Sequence, residues 1–167
     1  MDARPIRVGE LWRRAIAKWI IDADRSRVQA FCLAARQFGV AVPGGTEGLI
    51  HFRTLLERSL LAGTQAMAVI DVDWKNAFPT IEWDSIREAV NELLPEVSAW
   101  TRWCHEAPGR VVLPSGGELH IDRGAEQGDP LGPIYCALVL ARVAAAARET
   151  LGDAGIHIFD VWCLDDG

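Results

Sequence analysis

The stretch Ala68–Ile81 constrains the fold most, because it sets acidic side chains at the end of an apolar segment that then turns abruptly. Alternation along Ala68–Asp73 predicts a β-strand that carries Asp71 and Asp73 on one face, and residues 75–79 end it. A carboxylate at the tip of a core strand is costly to desolvate and usually meets a cation, a helix N-terminus or several donors. The stretch therefore indicates a metal site, with a solvated strand edge or a turn-forming aspartate as the alternatives.

Two later stretches carry further chemistry. Gly124–Pro133 is a polar, glycine-rich loop that precedes a long apolar segment, and the chain ends on the acidic pair Asp165-Asp166. Asp129 as N-cap and Pro130 at the first helical position predict a helix that continues to about residue 150. His157–Leu164 is predicted to be a final strand that delivers the acidic pair.

Elsewhere the pattern is mostly helical. Apolar residues at helical spacing predict amphipathic helices, and Ser115-Gly116-Gly117 predicts the turn of a hairpin. The expected inward face of the first helix consists of Trp12, Ile16, Trp19 and Ile20. The remaining predicted elements are helices over 24–38, 46–61, 83–94 and 97–104 and a hairpin over 110–122.

Composition limits the classes of function. With 167 residues, half of them hydrophobic, the chain is long enough for one core or two subdomains, and no run approaches the roughly 20 apolar residues of a membrane span. The four cysteines are scattered, which favours free thiols in a reducing compartment over a zinc site or disulfides. The net charge of −6 argues against a nucleic-acid binder, although arginines are concentrated in the first 60 residues.

Taken together, three spaced motifs resemble those of reverse transcriptases, most closely the polymerases of non-LTR retroelements. Asp73 is followed five residues later by Phe78, as in motif A; Gln127–Leu131 has the Q-G-x-P-L pattern of motif B; and Asp165-Asp166 follows an apolar strand, as in motif C. The segment Arg4-Pro5-Ile6 is similar to the R-P-I segment that opens the fingers in this family.

The resemblance implies an α/β (α+β) fold: a polymerase palm with an antiparallel sheet core and packed helices, preceded by a partial helical fingers region. Residues 1–62 would be the fingers and residues 63–167 the palm, ending after motif C. The thumb would then lie outside this chain, and residues 1–167 alone would not extend a primer. Cys163, Gly132 and Pro79 depart from the usual family pattern.

The same resemblance implies a two-metal nucleotidyl transferase that makes DNA on an RNA template. Its catalytic and metal-binding residues would be Asp73, Asp165 and Asp166, with the Trp74 carbonyl as a further ligand of two Mg²⁺ or Mn²⁺ ions. Asp71 competes with Asp73 for this role, and the position of Phe78 favours Asp73.

Nucleotide and template binding are implied for Phe78, Gln127, Gly128 and Arg4. The implied partners are an RNA template, a DNA primer, deoxyribonucleoside triphosphates, and the thumb and any endonuclease domain of a parent polyprotein, with no membrane. An RNA-directed RNA polymerase, which would tolerate a smaller residue than Phe78, and a non-catalytic remnant that serves as an interaction domain are the alternatives.

Overall fold

Helices and one hairpin make up the regular structure of residues 10–63, 69–126 and 128–164, which are the residues that the computed structural model describes. This part of the chain is therefore a mixed α+β structure, and the predicted helices and hairpin are confirmed to within a few residues at most ends. The α-helices are α1 Leu11–Ala23, α2 Arg25–Ala34, α3 Gly45–Leu61, α4 Ala77–Thr80, α5 Trp83–Leu93, α6 Ser98–Cys104 and α7 Gly132–Asp153. A short 3-10 helix, Pro95–Val97, precedes α6, and the strands are β1 Gly109–Val112 and β2 Glu118–Ile121.

The core is the interface between α5 and α7, with α1, α2 and α6 packed around it. Ile86 and Val90 of α5 are fully buried, as is Leu138 of α7, and they belong to one apolar cluster. Burying a side chain of this size stabilises a fold by roughly 1.5–3 kcal/mol. The Tyr135 hydroxyl lies 3.1 Å from that of Thr101, which donates to the Val97 carbonyl just before α6, so these buried polar groups are satisfied.

The hairpin is confirmed with its predicted turn. Strands β1 and β2 pair antiparallel, with Gly109 opposite Ile121 and Val112 opposite Glu118. The Leu113 amide donates to the Gly117 carbonyl at 2.8 Å and closes the turn.

The strand predicted over Ala68–Asp73 is not observed in its described part. Residues 69–72 have no regular strand pairing, and Val69 and Ile70 are exposed. A strand needs a neighbour for its backbone groups, and the described sheet contains only β1 and β2. The antiparallel sheet expected as the core is thus confined to the hairpin, and the described core is helical.

The strand predicted over His157–Leu164 is likewise reduced to an extended segment. It meets the rest of the described chain through an isolated parallel bridge between Gln37 and Trp162. The residues that follow α2 therefore hold the end of this segment.

Helices α1 and α7 differ from expectation in detail. Ala17 is the fully buried residue of α1, whereas Trp12 and Trp19 are exposed by 75% and 71% and Ile16 is also exposed. Of the predicted inward face, Ile20 packs against the core. Helix α7 begins at Gly132 and not at Pro130. None of the helices among the described residues has the length and apolar character needed to cross a membrane.

Candidate functional site

A single helical turn presents Phe78. Asn76 adopts a left-handed conformation with φ 59°, and α4 starts directly after it. Pro79 lies in the first turn of α4, where its missing N–H breaks no helical hydrogen bond, so this departure from the family pattern is compatible with the local backbone. Phe78 is half-buried and packs against the small cluster of Ala77, Cys136 and Leu140.

Backbone hydrogen bonds join this turn to the glycine-rich loop. The Ala125 amide donates to the Phe78 carbonyl at 2.8 Å, and the Gly124 amide donates to the Ile81 carbonyl at 2.7 Å. The indole N–H of Trp83 donates to the Gly124 carbonyl at 3.0 Å. The first and second motifs are thus held together as one structural unit.

Gly124 is required at this junction. Its φ is +82°, and a Cβ built on it would lie 2.6 Å from the Pro79 carbonyl oxygen. Residues with a side chain rarely adopt this backbone conformation, and a Cβ atom essentially never lies this close to a carbonyl oxygen. Glycine therefore allows the loop to lie directly against the turn that carries Phe78.

A cleft of about 310 Å³ lies between Phe78 and the glycine-rich loop. Its volume is at the lower end of the range of small-molecule sites. Gln127 is outside the described residues, although both of its neighbours line the cleft. The remaining lining residues are Glu126, Gly128, Asp129, Pro130 and Pro133.

Two arginines of α1 hold the loop from the other side. The Arg13 guanidinium lies 3.3 Å from a Glu126 carboxylate oxygen and 3.6 Å from one of Asp129, and both carboxylates are nearly buried. Arg14 donates from Nε to the Gly128 carbonyl at 3.0 Å. Buried carboxylates need such a cation, because desolvation of an unpaired charge costs several kcal/mol.

Sequence reasoning missed this network. The sequence showed only that arginines are concentrated in the first 60 residues, whereas in the structure Arg13 and Arg14 contact the glycine-rich loop. The available signal was the pair Glu126 and Asp129, since two acids beside an apolar helix start need partners.

Asp129 also organises the start of α7, by a different geometry from the predicted cap. Its Oδ1 accepts the Leu131 amide at 2.9 Å, and its carbonyl accepts the Gly132 amide. The aspartate forms a local turn that leads into the helix, so the helical residues begin three positions after it.

The two candidate acids of the first motif differ in their surroundings. Asp71 pairs with Arg53 at 3.0 Å, and hydrogen bonds and charge from Glu57 and Asp71 raise the pKa of that exposed guanidinium. Asp73 is exposed, and within the described part of the chain its carboxylate makes no ion pair. Of the two, Asp73 therefore has the more available carboxylate, and its role as a metal ligand stays a prediction.

The other predicted ligands are only partly described. The Trp74 carbonyl accepts the Ala77 amide at 3.3 Å, which leaves one lone pair for a further partner. Asp165, Asp166 and Arg4 lie outside the described residues, so the convergence of Asp73 with the acidic pair stays a prediction.

The oxygen donors near Phe78 are of the kind that binds a divalent cation. Among residues 10–63, 69–126 and 128–164, no three His, Cys, Asp or Glu side chains are grouped closely enough to hold an ion. Asp73 and the Trp74 carbonyl offer the hard oxygen atoms that magnesium prefers. The described donors fit such an ion in kind, and a complete site would need the acidic pair.

The segment before the acidic pair is fixed by the loop after α2. Gln37 is 2% exposed, and its Oε1 accepts the amides of Gly39 at 3.0 Å and Leu164 at 2.7 Å. Its Nε2 donates to the Leu164 carbonyl at 3.0 Å. The Phe38 amide also donates to the Trp162 carbonyl at 2.7 Å.

Asp160 ties the same segment to α7. Its carboxylate accepts hydrogen bonds from Arg148 at 2.7 Å, from the Trp162 indole at 2.8 Å and from Arg36 at 3.2 Å. Burial alone would raise the pKa of Asp160, but these hydrogen bonds and the two positive charges outweigh it and lower the pKa. The ionised carboxylate is therefore the form that holds the segment in place.

Two of the cysteines, Cys32 and Cys104, are not activated thiols. All four are free, as predicted. Burial raises the pKa of Cys32 and of Cys104 to about 11, so both remain protonated near neutral pH. Neither is suited to act as a nucleophile.

Comparison with known proteins gives no relative for this chain. No family model matches it, and no curated protein or solved structure matches it either. The motifs and the geometry of the cleft therefore carry what can be inferred about function.

Proposed function

We propose that this chain is the fingers and palm portion of a reverse transcriptase of non-LTR type, with residues 1–62 as fingers and 63–167 as palm. Such an enzyme adds deoxyribonucleotides to a DNA primer on an RNA template. The observation that carries the proposal is the hydrogen-bonded junction between the Phe78 turn and the glycine-rich loop. The bond between Ala125 and Phe78 spans 47 positions of sequence, and residues of both motifs line one cleft.

Phe78 would contact the sugar of the incoming nucleotide in this cleft. Its ring is half-buried against the α7 cluster, so the surrounding residues limit its movement. A rigid aromatic ring beside the sugar would exclude a 2′-hydroxyl by steric overlap. Gly128 and Gln127 would lie under the base pair, and Arg4 would contact the triphosphate.

The acidic residues would hold the metal ions. Asp73, Asp165, Asp166 and the Trp74 carbonyl supply the oxygen ligands, and Asp71 is engaged by Arg53. When bound, two divalent ions supply charge stabilisation for the attacking and the leaving oxygens of an in-line displacement at phosphorus. The chain itself has to place these carboxylates correctly and to orient the nucleotide against them.

Metal-dependent nucleotide binding tests this proposal. Mn²⁺ or Mg²⁺ should raise the melting temperature of the chain, and a deoxyribonucleoside triphosphate should raise it further, because each ligand stabilises the folded state that binds it. Asp73→Asn should remove both increments. Asp71→Asn is the matched control and should retain them.

Other outcomes would redirect the proposal. Equal stabilisation of wild type and Asp73→Asn would exclude the assigned metal site. Binding of ribonucleoside triphosphates as strong as that of deoxyribonucleoside triphosphates would favour an RNA-directed RNA polymerase. No metal-dependent binding of either nucleotide would favour a non-catalytic remnant.

A further inference from the structure

The cleft beside Phe78 is lined by acidic and apolar side chains, although the proposed ligand is an anion. Its wall combines Phe78, Pro130 and Pro133 with the carboxylates of Glu126 and Asp129, and among the described residues no arginine or lysine lines it. Like charges that meet at a binding surface repel one another strongly. The two carboxylates would therefore oppose the phosphates of a nucleotide unless a cation compensates them.

Arg13 of α1 lies behind the cleft as that cation. Its guanidinium is 3.3 Å from a carboxylate oxygen of Glu126 and 3.6 Å from one of Asp129. The Arg13 side chain is 18% exposed and those of the two acids are 7% and 3% exposed, so water and salt screen these charges only weakly. With Arg13 present, the three side chains carry a net charge of −1 instead of −2.

Arg13 and its neighbour Arg14 contact the loop in different ways. Arg14 donates a hydrogen bond from Nε to the Gly128 carbonyl at 3.0 Å, and this bond fixes the loop backbone. The buried Nε of Arg13, in contrast, makes no hydrogen bond within the part of the chain that the structure describes. What Arg13 brings to the cleft is therefore mainly its positive charge.

We propose that Arg13 is a specificity-determining residue that acts through Glu126 and Asp129: by compensating their charge, it allows the anionic part of a nucleotide to approach the cleft. This inference rests on the proposed function. It makes a distinction that loop positioning alone does not make, because an uncharged nucleoside is indifferent to the charge of Arg13 and a triphosphate is not.

The size of the effect follows from the distance between the charges. At an effective dielectric constant of about 20, one additional negative charge about 10 Å from a phosphate charge lowers affinity on the order of 10-fold. A triphosphate carries several such charges, and dissolved salt reduces the contribution of the more distant ones. We therefore expect a loss of about 10- to 100-fold for the triphosphate when the charge of Arg13 is removed.

Ligand titrations of the 167-residue chain test this role, with the amides of Phe78 and Gly128 followed by NMR in the presence of Mg²⁺. Wild type and Arg13→Met are each titrated with a deoxyribonucleoside triphosphate and with the corresponding uncharged deoxyribonucleoside. Arg13→Met should lower the affinity for the triphosphate about 10- to 100-fold and that for the nucleoside less than about threefold.

Arg142→Met is the matched control. Arg142 also pairs with two carboxylates, those of Glu88 and Glu92, each at 3.0 Å. It lies about 14 Å along α7 from Pro133, which is beyond the distance over which an exposed charge acts at physiological salt. This variant should leave both affinities unchanged.

A second variant covers the case in which Arg13→Met does not fold, since it leaves two nearly buried carboxylates without this cation. Glu126→Gln removes one negative charge at almost constant side-chain size. It should raise the ratio of triphosphate to nucleoside affinity about 10-fold above that of the wild type. In the double variant Arg13→Met/Glu126→Gln, the net charge of the three side chains equals that of the wild type, so the ratio should return to the wild-type value.

The outcomes separate this inference from the proposed function. Equal losses of triphosphate and nucleoside affinity in Arg13→Met would show a role limited to holding the loop and would overturn the inference. An unchanged triphosphate affinity in Arg13→Met, or an unchanged ratio in Glu126→Gln, would also overturn it and leave the proposed function intact. Wild-type protein that binds neither ligand at these amides would overturn the proposed function, and the inference with it.

Discussion

Replacing Gly124 by alanine should destabilise the fold at the junction beside the cleft. Two costs apply: an alanine at φ +82° pays about 1–2 kcal/mol for the left-handed conformation, and its Cβ would overlap the Pro79 carbonyl oxygen at 2.6 Å. Relief of that overlap requires the loop to move away from α4, which weakens the hydrogen bonds to Phe78 and Ile81. Overpacking of this kind typically costs about 1–3 kcal/mol more.

A matched control isolates the second cost. Gly116, in the hairpin turn, has the same φ of +82° but no atom within 4 Å of a built Cβ. Gly116→Ala should therefore lose only about 1–2 kcal/mol, and Gly124→Ala a further 1–3 kcal/mol. Urea unfolding of both variants and the wild type measures the difference as a change in midpoint at constant slope.

The melting temperatures provide a second measurement. For a chain of this length, an extra 2 kcal/mol corresponds to a melting temperature lower by about 4–8 °C. Equal destabilisation of the two variants would refute the close approach of the glycine-rich loop to α4. The geometry assigned to the cleft would then be wrong as well.

Two further changes test the segment before the acidic pair and the cleft. Asp160→Asn should destabilise the protein by about 2 kcal/mol at neutral pH, because the charge-assisted hydrogen bonds that Arg148 and Arg36 donate to this carboxylate are weakened. The pKa of Asp160 is lowered in the folded state, so its contribution to the free energy of unfolding is present above the ordinary pKa of 3.8 and is lost as the pH falls through the folded-state pKa. Urea unfolding between pH 3 and 7 should therefore show that the wild type loses its advantage over the variant only at the acidic end. A stability difference that stays constant over this range would contradict the argument. Phe78→Val should shift the ratio of ribo- to deoxyribonucleotide affinity at least tenfold toward ribonucleotides, about 1.4 kcal/mol, as measured by competition in the presence of Mg²⁺. An unchanged ratio would leave Phe78 with its packing role against Cys136 and Leu140 alone.

Local signals account for the elements that the sequence predicts well. Helix α5 follows from apolar residues at helical spacing, and two of them, Ile86 and Val90, are buried. The hairpin follows from the glycines of its turn. Both features depend on neighbours within a few positions, so no knowledge of the tertiary fold is needed.

Elements that depend on distant partners are predicted less well. The segments before Asp73 and before Leu164 have strand-like patterns, but their pairing is decided elsewhere in the chain. The predicted orientation of α1 is wrong at Trp12 and Trp19 for a similar reason: Trp12 and Ala17 are both apolar, and the packing of the other helices determines which one is buried.

The candidate site also combines features that the sequence motifs predict with features that depend on distant residues. The sequence motifs predict that Phe78 and Gly128 lie together, and both line the cleft. The support for that cleft from Arg13 and Arg14 has no local signature, since an arginine near an apolar helix can be solvated or paired. The placement of Asp73 against Asp165 and Asp166 stays a prediction.

The bond between Gln37 and Leu164 also has a consequence for the order of folding. It closes a loop of 127 residues, compared with 8 for the ion pair across the hairpin between Arg110 and Glu118. That is a difference of four doublings, and at about 0.6 kcal/mol each the longer closure costs roughly 2.4 kcal/mol more chain entropy. We therefore expect the hairpin and the α5–α7 interface to form early, and residues 157–164 to dock last onto a largely completed protein.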